Sequence, residues 1–145
     1  MPVREAYNCA LLVGAVLSAI AALLHVACIV GGPAWYRFFG AGERMARAAE
    51  RGSWYPALAT LGVTAVLLAW AAYALSAAGA LSPLPLLKAG IVAITAVYLL
   101  RGLVLVPVLA FKPSQATPFV VWSSLICLGY GIVHLVGVVQ VWTKL

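Results

Sequence analysis

Arg101 lies in "YLLRGLVLVPVLAFKP", residues 98–113, and the next charge along the chain is Lys112. A cation at the centre of an apolar helix costs about 2.5–3.5 kcal/mol on insertion scales, so it calls for a partner. Two histidines, His25 and His134, sit in other apolar runs. Imidazole is the side chain that gains and loses a proton most readily near neutral pH. These three residues, with Tyr98 one turn before Arg101, are where chemistry inside the apolar part of the chain would have to happen.

The acidic residues narrow that chemistry. Glu5, Glu43 and Glu50 are the only three, and all fall outside the apolar runs. Proton-coupled antiport and aspartyl proteolysis within a membrane both need a carboxylate there, so both lose their working group. His25 and Cys28 make an H-x-x-C pair, which offers two ligands at best, and no metal site is expected. Cys9, Cys28 and Cys127 are odd in number and form no C-x-x-C, which argues against a disulfide framework. A haem held by both histidines fails on depth: His25 would lie ~8 Å and His134 ~22 Å inside their helices, counted from the same side. No cofactor is expected.

The elements that must position these residues follow from composition. The chain has 145 residues, 66% hydrophobic and 8% charged, with a mean hydropathy of +1.10. So few charges cannot cover a water-facing surface. Four apolar runs, at about 8–30, 55–77, 86–111 and 119–142, each exceed the ~20 residues that cross a bilayer as a helix. The expected fold is therefore an all-α membrane protein, one domain of four transmembrane helices in an antiparallel bundle. The first run, with "LLHVACIV" near its end, resembles a cleavable signal, but it is too long for a signal core and reads as a retained helix.

Helix faces can be read by step. Ala10, Gly14, Ser18 and Ala22 recur every four residues and form a small-residue ridge, and His25 continues that face. Ser123, Cys127, Gly131 and His134 form a similar face on the last helix, so both histidines should turn inward, each able to bond a nearby carbonyl. Pro107 should kink the third helix or end it early, freeing the carbonyl of Leu103 near Arg101.

The loop between the first two spans, about 33–53, should lie in the membrane interface. Its "GERMARAAERG" reads as a short helix between Gly42 and Gly52, with Glu43 and Arg47 paired one turn apart and a basic stripe of Arg44, Arg47 and Arg51. The basic residues of this loop and Lys112 place that side in the cytoplasm and both termini outside, with Arg4 opposing the trend. Trp35, Tyr36, Trp54, Tyr55, Phe111 and Trp122 would mark that interface, and Tyr7, Trp70, Tyr73 and Trp142 the other. The excess of alanine, glycine and valine suggests a bacterial inner membrane.

The reading these features support is a cationic pocket centred on Arg101, with Tyr98, His25, Arg44, Arg47 and Arg51 converging on it. Snorkelling, the Leu103 carbonyl, or Glu43 or Glu50 folded inward are other ways to accommodate the charge. As a ligand site it would bind or transport an anionic amphiphile such as a lipid, a fatty acid or a prenyl phosphate. Two alternatives stand beside it: a lipid-modifying enzyme using His25 or His134 as acid or base, assisted by Tyr98 or Tyr130, and a non-catalytic assembly subunit. Expected partners are membrane lipids and such an amphiphile, with a homo-oligomer if the protein transports, and no nucleic acid.

Overall fold

The computed structural model describes residues 7–145; Arg4 and Glu5 lie outside the described residues. The chain is an all-α membrane bundle. Four helices are long and apolar enough to span a bilayer: Cys9–Gly31, Tyr55–Ala77, Leu87–Phe111 and Pro118–Val141. Their outward residues, among them Leu23, Leu58, Leu100 and Val139, are exposed hydrophobics suited to lipid contact.

Helix α1 (Cys9–Gly31) starts where the Asn8 side chain accepts the Leu11 N–H at 2.9 Å. It stops at Gly32, whose φ of 66° and ψ of −150° suit only a residue without Cβ. Pro33, unable to donate, then opens a short α2 (Pro33–Phe38). After Gly40 and Gly42, both at positive φ, comes α3 (Glu43–Glu50). The loop expected to hold one interfacial helix thus holds two. Helix α4 (Tyr55–Ala77) carries Pro56 in its first turn. Ser76 organises the proline-rich return: its hydroxyl donates to Ser82 O at 3.0 Å and accepts from Leu84 N at 3.1 Å.

The third span is interrupted. Helix α5 (Leu87–Leu103) gives way at Val104 to α6 (Leu105–Phe111). Pro107 is the cause: its ring crowds the carbonyl four residues back, that of Leu103, and it offers that carbonyl no N–H. The interruption expected from Pro107 in the 86–111 run thus divides it into two pieces, broken one turn ahead of the proline. A 3-10 turn at Pro113–Gln115 leads to α7 (Pro118–Val141), capped by Thr117, whose hydroxyl accepts Val120 N–H at 3.3 Å.

Packing pairs α1 with α4 and α5 with α7. The two pairs are joined mainly through α1 and α7, with α4 meeting α5, while α4 and α7 barely touch. Small residues set the α1–α7 register. Asn8 Nδ2 donates to Gln140 Oε1 at 2.8 Å, Leu11 packs onto Gly137, and Gly14 packs onto the His134 ring. Likewise Gly102 lies so close to the Leu128 backbone that a Cβ there would sit 2.7 Å from it. Without a hydrophobic drive between helices in lipid, such close approach is what holds them. Of the expected ridge of Ala10, Gly14, Ser18 and Ala22, the last three are buried, Gly14 against His134 of α7 and Ser18 against Tyr98 of α5, while Ala10 is half-buried.

Candidate ligand cavity

The loose contact between α4 and α7 leaves a cavity of about 1000 Å³ in the half of the bundle nearest α2 and α3. Its wall on α4 runs from Ala59 to Trp70, a length of ~17 Å at 1.5 Å per residue. Phe38, Phe39 and Phe119 stand at its rim, and Leu67, Trp70, Tyr98 and Tyr130 at its deep end. Val63 and Val66 on one flank, and Trp122 and Ile126 on the other, line it and are also exposed outward. The space therefore opens sideways, toward the hydrocarbon.

Arg101 projects into this space from α5. Its Nη1 donates to Ser124 Oγ at 3.0 Å and its Nη2 to Ser123 Oγ at 2.9 Å. Neither the Leu103 carbonyl nor a glutamate supplies the compensation that the sequence suggested. Among the described residues no carboxylate pairs with it, since Glu43 and Glu50 are engaged by Arg37 and Arg47. Two hydroxyl dipoles hold the guanidinium in place without neutralising it, and three of its five N–H groups are left for something else. Arg101 lies ten residues, or ~15 Å, from the end of the third span at Phe111, as expected, and its guanidinium reaches Ser123, five residues or ~8 Å inside α7.

His25 lines the same cavity, half-buried, with Nδ1 2.7 Å from the Ala21 carbonyl. A carbonyl can only accept, so Nδ1 carries the proton, and in the neutral ring Nε2 is an acceptor. The α1–α7 register carried outward from Gly14 and His134 brings His25 level with Ser123, and hence with the Arg101 guanidinium. Tyr98 forms part of the deep end; its hydroxyl is 2.9 Å from Ser18 Oγ, and its ring meets Trp70 edge-on at 5.0 Å. Trp70 is thus a mid-bundle residue and not the interfacial marker expected.

Two expected members lie elsewhere. His134 is fully buried below the cavity, its Nδ1 2.8 Å from the Tyr130 carbonyl and its Nε2 without a partner. It packs on Gly14 and against the Tyr98 ring at 5.1 Å, and it does not line the cavity. The seam that buries it also separates it from His25, so the two rings flank no shared site. Arg44, Arg47 and Arg51 do not line the cavity either; with Glu43 they border a shallow hollow of their own. The opposite face of α3 explains this: Ala46 and Ala48 are buried, Ala46 in a cluster with Tyr36 and Cys28, which turns the arginines outward.

Residues that the sequence reading did not assign to the site complete the arrangement. Arg37 Nε and Nη2 grip both Glu43 oxygens at 2.9 Å, and its Nη1 reaches Glu50 at 2.8 Å. This ties α2 to α3 beside the phenylalanines at the rim. Arg37 with Arg47 holds the Glu43 carboxyl down to about 2. The adjacent serines of α7 were visible as a polar pair in an apolar run, but nothing in the sequence said which helix they would face. Among the described residues no group of three or more metal-ligating side chains occurs. Comparison of the chain with family models, with characterised proteins and with solved structures gives no match.

Proposed function

We propose that this protein binds an anionic amphiphile in the cavity between α4 and α7, with Arg101 taking the head and the apolar wall taking the tail. One observation carries the reading: a guanidinium with no carboxylate partner among the described residues faces a large apolar space open to lipid. A charge so placed is stabilised by an anion brought from outside the chain. The head would rest ~8 Å below the end of α7, and the tail would extend toward Trp70 and Tyr130. Arg44, Arg47 and Arg51 belong in this proposal to the membrane surface, where each contributes about 1 kcal/mol of attraction to anionic headgroups. With basic residues concentrated on that side, we place α2 and α3 at the cytoplasmic face of a bacterial inner membrane.

Native mass spectrometry of the protein released from mild detergent, beside Arg101→Ala, tests the proposal. A co-purifying anionic lipid or metabolite that the variant loses supports it. If both proteins emerge bare and equally folded, Arg101 is structural and the proposal falls.

A further inference from the structure

We infer that α3 carries a second anion site, separate from the cavity, which takes the head of a two-phosphate phospholipid, with Arg44 and Arg51 each holding one phosphate. The assignment comes from the ion pairs on this surface. Arg37 grips Glu43 through Nε and Nη2 and reaches Glu50 through Nη1. Arg47 also meets Glu43, but through Nε alone, at 3.1 Å, so its terminal nitrogens stay uncommitted. The two glutamates thus offset Arg37 and Arg47. Among the described residues Arg44 and Arg51 have no carboxylate partner, and their two positive charges remain. They lie seven residues apart on one face, ~10 Å along the helix axis, and with Arg47 and Glu43 they border a hollow of about 330 Å³. A single phosphodiester answers one of them. A head with two phosphates answers both, each through the two-pronged grip that a guanidinium makes on phosphate oxygens.

The depth of α3 is the reason for assigning those phosphates to a lipid. Its buried face docks low on the bundle: Ala46 clusters with Tyr36 and with Cys28, three residues or ~5 Å inside the end of α1. The Tyr36 hydroxyl in turn lies 3.4 Å from Thr60 Oγ1, five residues or ~8 Å inside α4. The headgroup layer beyond the hydrocarbon is ~5–8 Å thick on each side. A helix held level with the ends of the spans, and not above them, lies in that layer, among lipid phosphates. Trp54 and Tyr55, just past α3, are exposed by 80% and 55%, as interfacial aromatic residues are. A built site also differs in kind from general attraction. Diffuse attraction weighs every basic residue on this face alike, the exposed Lys112 included, whereas a site weighs Arg44 and Arg51 above it.

The full chain in uncharged detergent is titrated with diphosphatidylglycerol, and separately with phosphatidylglycerol at equal phosphate, and native mass spectrometry reads the affinity for each. The unaltered protein should prefer diphosphatidylglycerol. Arg44→Gln and Arg51→Gln should each weaken its binding by about fivefold, and the double variant by about twentyfold, with the preference gone. Both arginines are exposed and unpaired, so neither substitution removes a contact within the fold. Lys112→Gln, which takes one charge from the same face, should cost no more than about twofold. Arg101→Ala should leave the preference unchanged, which keeps this outcome apart from that of the cavity. Equal affinity for the two lipids per phosphate, or an effect of Lys112→Gln as large as that of Arg44→Gln, reduces the stripe to diffuse attraction and overturns the inference. Loss of diphosphatidylglycerol in Arg101→Ala but not in the double variant assigns the lipid to the cavity and overturns it as well. Inorganic pyrophosphate held by the same arginines as tightly as the lipid makes the ligand a soluble diphosphate and overturns the lipid assignment.

Discussion

Replacing Gly14 by alanine tests whether the α1–α7 seam supports the deep end of the cavity. The new Cβ would stand 2.8, 3.0 and 3.1 Å from Cε1, Nε2 and Nδ1 of His134. Non-bonded carbons are comfortable at about 3.5–4.0 Å, so ring or helix must yield by roughly half an ångström or more. The ring has little room to do so. It is fully buried, anchored through Nδ1 to Tyr130 O, and packed against Tyr98. Overpacking of this kind costs about 1–3 kcal/mol. Alanine also favours a helix over glycine by about 1 kcal/mol, which would mask part of the loss. Gly129→Ala supplies the reference, for Gly129 lies on the same helix as His134, is exposed, and has nothing within 4 Å of where an alanine Cβ would stand. The quantity to measure is the difference between the two variants in reversible unfolding by SDS in mixed micelles, followed by circular dichroism. Gly14→Ala should be less stable than Gly129→Ala by about 1–3 kcal/mol. Equal stability would show that the seam accommodates a methyl group, and close glycine packing would not then be what holds α1 to α7.

Two further outcomes follow from the site and its roof. Replacing Ser123 and Ser124 together by alanine removes both hydroxyls from Arg101, and in uncharged detergent the pair should lower stability by about 1.5–3 kcal/mol, reduced by whatever water reaches the half-buried guanidinium; unchanged unfolding would mean the hydroxyls are incidental. Glu43 is held at about 2, below its ordinary 4.5, first by Arg37 and then by Arg47. Its ion pairs therefore stabilise the α2–α3 arrangement fully above pH 4.5, and that contribution is lost as pH falls from there through about 2. A carboxyl carbon NMR titration should place the Glu43 midpoint near 2 and move it upward in Arg37→Gln; a midpoint near 4.5 in the unaltered protein would refute the clamp.

The unequal fates of His25 and His134 show which part of the site was legible beforehand. Both sit in apolar helices, both continue a small-residue face, and both give Nδ1 to the carbonyl one turn back. Each of those properties is local, and hydrophobic pattern with four-residue spacing was enough to expect them. The same is true of the four spans and of the break that Pro107 imposes. What separates the histidines is the gap between α4 and α7, which depends on how two helix pairs lean together and leaves no mark in either helix alone. The face Ser123–Cys127–Gly131–His134 makes the point within one helix: Gly131 packs on Leu99 of α5 and His134 on Gly14 of α1, while Ser123 and Cys127 are cavity wall. The compensation of Arg101 was hidden for a related reason. Serine in an apolar helix can satisfy itself on its own backbone, as Ser123 does by donating to Val120 O at 3.3 Å, so its presence does not announce a cation across the interface.

The serines also bear on what Arg101 is for. Were the charge only a structural cation, carboxylates on this chain could have met it, yet Glu43 and Glu50 are both held by Arg37, with Arg47 also on Glu43. Hydroxyls orient a guanidinium while leaving its charge intact, and they do so on one edge only. An arginine fixed in direction but not neutralised, beside ~17 Å of apolar wall, is what the proposed anion site requires. Removing the serines should therefore loosen the aim of Arg101 and weaken anion binding, whereas removing Arg101 should abolish it. That ordering of Ser123→Ala/Ser124→Ala and Arg101→Ala, read as the fraction of protein that retains a co-purifying anion in native mass spectrometry, separates a residue that holds a ligand from residues that position it.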